Sequence, residues 1–331
     1  MTALRGAALR SPEESSMSER PAKGLLQGAA LCLASLTLAL AGATIPIAGV
    51  FFGLLTPLPL ILLFVRGGRA IAVLGALAVG ASLAPLLVLG YTWVFYLEFG
   101  MPAVVLAESI RREWSPEPSV IAGVLAVLVG SLAGLFILSR GAGSPIDYLI
   151  DHLDSALQEA LGFYGKMGLS PDEAGRLSTS VEQVRKFLLA TSPGLFIAAA
   201  LLSTSTNYFL ARSGLARASA PGGSEPGFAW NMPDWLVWVF IGAATLFLSG
   251  LPVVKEVGLN GLLVMMTLYF LQGLAIAAFW IRRLKLPPLV GILGVVLLLL
   301  QPLLLLLLTG VGLFDIWFAF RRQTLPRPPG A

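Results

Sequence analysis

Residues 259–283 read LNGLLVMMTLYFLQGLAIAAFWIRR. The stretch is apolar over the roughly 20 residues that cross a bilayer core, and it closes on the basic pair Arg282–Arg283. Yet it opens on Asn260 and keeps Gln272 near its middle. An amide at that depth cannot reach the interface, so it must bond protein, water or a ligand. Amide bonds between membrane helices average only about 0.6 kcal/mol. Helix pairing and ligand lining are therefore both open readings of Gln272.

The rest of the chain repeats this pattern. Of its 331 residues, 56% are hydrophobic and 12% are charged, with mean hydropathy +0.85. Soluble domains carry about 25% charge, so this chain has half the solvating surface it would need in water. The class is all-α: a polytopic transmembrane helical bundle of eight to ten spans. A membrane barrel does not fit, because the apolar runs are continuous and rich in Leu and Ala rather than alternating.

Apolar runs fall at 25–45, 47–65, 70–90, 91–110, 119–139, 189–211, 234–253, 259–281 and 288–309. The second is irregular, since Pro46, Gly49, Gly53, Pro57 and Pro59 cannot share one regular helix. Backbone groups freed there need protein or water, so this broken segment is expected to pack inside the bundle. The fourth is interrupted at YLEFGMPAVV by Glu98, Gly100 and Pro102. Small residues repeat at four-residue spacing in Gly24–Gly28–Cys32, Gly49–Gly53 and Ala126–Gly130–Gly134, which lets helices approach closely.

If every run crosses, Arg20 and Lys23, Arg66 and Arg69, Arg111 and Arg112, Arg212 and Arg217, and Arg282, Arg283 and Lys285 share one side. That side is cytoplasmic by the positive-inside rule, so the expected place is a bacterial inner membrane with the N-terminus in the cytoplasm. The net charge of +4 comes from these end clusters and points to the lipid bilayer, with no nucleic-acid partner. Nine crossings would put Arg321, Arg322 and Arg327 outside, whereas Gln301–Pro302 would allow a hairpin of two short helices over 288–320. Met17 offers a second start, and Ala39-Leu40-Ala41 resembles a signal cleavage site. With so many later spans, a retained first helix is the reading adopted.

Between the two groups of spans lies an acidic piece. SPIDYLIDHLDSALQEALGFYG starts on Ser144 as a cap and Pro145 at the first helical position, and Ile146, Leu149, Ile150, Leu153, Leu157 and Leu161 keep helical spacing. After Gly168, Ser170, Pro171 and Glu173 form a second start of capping-box type. An extramembrane amphipathic helical hairpin follows. The flexible linker ARSGLARASAPGGSEPGFAWNMPDW then leads to the interfacial residues Trp230, Trp235 and Trp238. The chain thus divides into an N-terminal tail (1–23), a first helix group (24–139), the hairpin (140–188), a second helix group (189–320) and a C-terminal tail (321–331).

Motifs for soluble chemistry are absent. The sequence has no phosphate loop of the G-x-x-x-x-G-K-[ST] type, no H-E-x-x-H, no C-x-x-C and no G-x-S-x-G. One cysteine, Cys32, and one histidine, His152, supply no zinc or haem ligand set, so no cofactor is expected. The chain does not read as an enzyme, although a lipid enzyme built on Glu98 is conceivable. Polar groups near membrane depth are Glu98, Glu108, Asn207, Lys255, Glu256, Asn260, Gln272, Gln301 and Asp315. Each ionisable one costs roughly 2.5–3.5 kcal/mol at a helix centre. Glu108 precedes Arg111 and Arg112 and reads as an interfacial ion pair. Lys255 and Glu256 read as solvated loop charges. Glu98, Asn260 and Gln272 are the candidates for lining a ligand site.

Several segments in order (EFGMPAVVLAESIRR, STNYFLARSGL, WNMPDWLVWVFIGA, the 259–283 stretch and GVGLFDIWFAFRR) resemble the YybS-like family of predicted bacterial membrane proteins. The most specific parts are YFLQGLA and LFDIWFAFRR. The resemblance implies distant kinship with substrate-binding membrane subunits of energy-coupling-factor transporters, which bind a small molecule and depend on a separate ATPase and coupling subunit. The span count and the hairpin depart from that pattern, so no substrate residue carries over. The leading expectation is a small-molecule binding or transport component without its own ATPase. The rival is a non-transporting scaffold, regulatory or assembly protein that acts through the 144–186 hairpin and the flexible cytoplasmic linker. Transport predicts that Glu98, Asn260 and Gln272 converge on one cavity, and scaffolding predicts that each finds its own helix partner.

Overall fold

The computed structural model describes residues 12–45, 48–87, 89–140, 143–165, 171–219, 232–287, 289–291, 293–294, 297 and 301–321. Every regular element among them is helical. Six helical stretches are long and apolar enough to cross a membrane: 24–44, 49–67, 92–111, 116–138, 175–218 and 252–283, with shorter apolar helices at 69–83, 236–247 and 302–318. The surface is apolar, with Leu25, Leu26, Leu33, Ile121, Phe136, Trp238 and Leu248 all more than half exposed, while Ser35, Thr56, Ser119, Thr191 and Asn207 are fully buried. That inversion of the soluble pattern is what a lipid-facing bundle requires.

The chain forms two compact units that divide at Ser131–Leu132. The first contains α1 (Pro12–Thr44), α2 (Ala48–Leu55), α3 (Pro57–Gly67), α4 (Arg69–Leu83), α5 (Leu89–Val94), a π-helical turn (Phe95–Gly100), α6 (Met101–Arg111) and most of α7 (Pro116–Leu138). Helix α1 starts at Pro12, so half of the expected N-terminal tail is drawn into it. The irregular second run is α2 and α3, broken at Thr56. Pro57 and Pro59 sit in the first turn of α3, where a missing N–H costs no helical bond. Thr56 Oγ1 donates to the Phe52 carbonyl at 3.1 Å, and Ser35 Oγ of α1 donates to the Thr56 carbonyl at 3.2 Å. Helix α3 packs on α1, α4 and α6 and buries Leu60, Ile61, Leu63 and Phe64. The broken segment is thus the centre of its unit.

The fourth run differs from its reading as an interrupted span. Helix continues through EFGMP because the turn before Pro102 widens: the Met101 N–H reaches back five residues to the Tyr96 carbonyl. A π turn of this kind absorbs the clash that proline imposes on an α turn. The neighbouring Leu97 carbonyl faces Gly130 of α7 so closely that a Cβ there would stand 2.1 Å from it. At the end of α6, Glu108 takes Arg69 at 2.6 Å and Arg112 at 2.7 Å, while Arg111 lies over the Phe64 ring at 5.8 Å. The interfacial ion pair is present, with Arg69 as an added partner. At these exposures solvent screens both pairs, so they add little to stability.

The second unit contains α8 (Pro145–Gly165), α9 (Pro171–Ser219), α10 (Leu236–Phe247), α11 (Pro252–Arg283) and α12 (Pro302–Phe318). Helix α9 is continuous over 49 residues, so the second arm of the hairpin and the 189–211 span are one rod, and the linker starts only after Ser219. The Ser170 cap, the Glu173 side chain and Trp230 lie outside the described residues. Lys255 and Glu256 sit in the first two turns of α11, not in a loop. Lys255 Nζ stands 5.5 Å from the Phe247 ring. Helices α10 and α11 run antiparallel, with Gly258 against Leu246–Phe247 and Gly261 against Ala243. The last run is helical at 289–291, 293–294 and 297, breaks at an extended Gln301 and resumes as α12 over 302–318, so 288–320 holds two helices, as the Gln301–Pro302 break allowed.

Helices α8 and α9 are tied by Arg185, whose Nε and Nη2 reach Asp154 at 2.5 and 3.2 Å. The guanidinium hydrogen bonds hold the Asp154 carboxyl below its ordinary value of 3.8. A carboxylate depressed in the folded state contributes stability that is complete above the unfolded pKa and is lost as pH falls through the folded one. Hydrogen exchange in α8 is therefore expected to be insensitive to pH between 5 and 8, after correction for intrinsic rates, and to rise as pH drops below about 4. Asp154→Asn should show the raised exchange already at pH 7.

Candidate functional site

The deepest close approach in the second unit is the crossing of α11 and α12. A Cβ at Gly273 would lie 2.0 Å from the Leu308 carbonyl, and one at Gly312 would lie 1.9 Å from the Tyr269 carbonyl. The pairs 273/308 and 269/312 fix the two helices as antiparallel. Lipid supplies no hydrophobic drive between helices, so backbone contact through glycines must supply the association.

This contact places a polar cluster beside the glycines. Gln272 Nε2 donates to Asp315 Oδ2 at 2.8 Å, the Phe320 N–H donates to Asp315 Oδ1 at 2.9 Å, and Arg321 Nη2 donates to Oδ2 at 3.2 Å. The local reason is the end of α12. Ala319 turns left-handed at φ 46°, its N–H returns to the Asp315 carbonyl at 2.8 Å, and the chain folds Phe320 and Arg321 back over Asp315. The pair is partly buried, with side-chain exposures of 9% for Asp315 and 17% for Arg321. Gln272 and Tyr269 are buried too, and Phe240 of α10 meets the Tyr269 ring edge-on at 5.8 Å.

The cluster is electrically balanced but not saturated. Gln272 Oε1 and the Tyr269 hydroxyl have no hydrogen-bond partner among the described residues, and Thr204 Oγ1 and Ser205 Oγ of α9 share that condition. A buried polar atom left unbonded costs about 1–3 kcal/mol. Gln272 Oε1 can only accept, whereas the phenol both donates and accepts. One turn of α11 thus carries an unbonded hydroxyl and an unbonded acceptor, the latter on the side chain whose amide N–H is bonded to the ion pair. Among the described residues no three His, Cys, Asp or Glu side chains gather as a metal site.

The three residues expected to line a site fall in both units. Glu98 lies in the first unit, half-buried in the π turn, and accepts from the Ser131 hydroxyl. Asn260 and Gln272 share α11 but stand twelve residues apart, about 18 Å along the axis. Asn260 is committed to α9: its Oδ1 takes the Gly194 N–H at 2.6 Å, and its Nδ2 donates to Ala190 and Glu256 carbonyls at 2.7 and 2.8 Å. Only Gln272 belongs to the polar cluster. The sequence reading weighed Asp315 but did not choose it, took Arg321 only as a topology signal within the tail, and overlooked Tyr269. A signal existed, because YFLQGLA holds Tyr269, Gln272 and Gly273, and LFDIWFAFRR holds Asp315 and Arg321. These two stretches are the ones that meet.

The family model described as Predicted membrane protein (DUF2232) matches residues 33–316, from within α1 to one residue past Asp315. No curated protein matches the chain, and no solved structure matches it.

Proposed function

For a chain that belongs to the DUF2232 family of predicted membrane proteins, we propose that the second unit binds a small polar molecule of no net charge at Tyr269, Gln272, Asp315 and Arg321. The protein is multi-pass, and the binding unit would serve transport or sensing across a bacterial inner membrane. In the transport form, driving force comes from a separate ATPase and coupling subunit, or from an ion gradient. One observation carries the reading: Gln272 Oε1 and the Tyr269 hydroxyl are buried without partners among the described residues, and the Gln272 amide N–H is bonded to the partly buried Asp315–Arg321 pair. Ionisable groups inside a membrane bundle are expensive and mark functional sites by default. The ion pair neutralises itself, so the groups left over suit a ligand that brings a hydrogen-bond donor and no net charge.

The test is native mass spectrometry of the protein purified from its own membranes in mild detergent. The expected result is a bound small molecule at one per chain, lost in Tyr269→Phe/Gln272→Leu with the fold intact. A wild-type protein that carries no such molecule, or a variant that keeps it, would reject the site.

The scaffold reading retains one favourable observation. Asn260 spends its amide on a helix partner, as scaffolding predicts, and the acidic face of α8 leaves Ile146 and Leu149 exposed. Co-purification of a stoichiometric protein partner that is lost on deletion of α8, without any small molecule, would favour it.

A further inference from the structure

We infer that Asn260 is the pin of a hinge at Pro193, which fixes the angle of the α8–α9 arm to the position of α11. Pro193 lies inside α9 and has no N–H, so the Leu189 carbonyl loses its helical donor. Ser192 Oγ replaces it at 3.0 Å. The next pair in the ladder, the Gly194 N–H and the Ala190 carbonyl, would bond one another in an uninterrupted helix. Both are bonded by the Asn260 amide, at 2.6 and 2.7 Å, and its other N–H goes to the Glu256 carbonyl of α11 at 2.8 Å. Residue 194 must be glycine for this, because a Cβ would stand 2.8 Å from Asn260 Oδ1 and 2.9 Å from its Cα. A side chain of α11 is thus spliced into the backbone ladder of α9 at its weakest point.

Helices kink where proline or an inserted side chain opens the ladder. Bending α9 at Pro193 must therefore break or drag the two bonds that Asn260 makes to Gly194 and Ala190. The moving part is defined on one side by the Arg185–Asp154 tie, eight residues before Pro193. On the other side Asn260 belongs to the same rigid helix as Gln272. Arm angle and α11 position are one coordinate. This coupling is independent of what, if anything, binds at Gln272.

The experiment measures a spin-label distance between Gln183→Cys on the arm and Leu248→Cys at the α10–α11 turn, in the full chain with Cys32→Ala. The protein with Asn260 should give a single narrow distribution. Asn260→Ala should lose that single maximum. Adding Pro193→Ala to Asn260→Ala should restore it, because residue 193 then supplies the N–H that the Leu189 carbonyl lacks and no longer crowds that carbonyl, so the helix ladder closes without the Asn260 amide. The rescue separates hinge release from misfolding. An unchanged distribution in Asn260→Ala, or broadening that Pro193→Ala does not reverse, would overturn the hinge.

Discussion

Gly312→Ala is expected to unseat α12 from α11 and to cost more stability than any other single methyl in the second unit. The added carbon would stand 1.9 Å from the Tyr269 carbonyl and 2.8 Å from the Gly273 nitrogen, both backbone atoms that cannot rotate away. The helices would have to part by more than an ångström, which breaks the neighbouring Gly273–Leu308 approach and pulls Asp315 from Gln272. Overpacking costs about 1–3 kcal/mol where side chains can yield; here only backbone can, so the loss should lie at or above the top of that range. The check is thermal unfolding in detergent against Gly310→Ala. Position 310 has nothing within 4 Å, and alanine is favoured over glycine in a helix by about 1 kcal/mol. Gly310→Ala should therefore leave the midpoint unchanged or raise it. Equal effects at 310 and 312 would refute the close crossing.

The second large effect is expected from Asp315→Ala. Asp315 serves the Gln272 amide, the Phe320 N–H and the Arg321 guanidinium together. Removing one partner of a fully buried ion pair costs about 3–5 kcal/mol, and this pair is partly buried, so the loss should lie toward the lower end, whereas replacing both partners by apolar groups is closer to neutral. Asp315→Leu combined with Arg321→Met should therefore recover most of the stability lost in either single variant. Asp315→Asn should fall between, since it keeps the acceptor for Phe320 but not the charge. Additive losses in the double variant would mean that the two side chains do not act as a pair.

Why some of this was legible in the sequence is a matter of range. Apolar length and charge placement are local properties, so the helical class and most of the spans could be read directly. The break at Thr56 and its burial followed from proline chemistry. The fourth span was misread because the sequence shows a proline and a glycine but not the π turn that absorbs them. The capped hairpin was placed correctly at its start, but nothing local ended α9 before Ser219, so arm and span merged into one helix. At the site, Gln272 stood out because an amide in mid-span has no cheap explanation. Asn260 looked equivalent, yet its partner is a gap opened by Pro193, 67 residues away, which no local pattern announces. Asp315 and Arg321 were hidden for the same reason. Their burial depends on the left-handed turn at Ala319, a residue with no propensity for it.

The most direct test of the account is an experimental density map of the protein purified from native membranes, inspected within hydrogen-bond reach of Gln272 Oε1 and the Tyr269 hydroxyl. The account predicts density for an organic molecule bonded to both, beside an intact Asp315–Arg321 pair. Protein atoms already satisfying both groups, or a single water between them, would contradict it and reduce the cluster to a packing feature of the α11–α12 crossing.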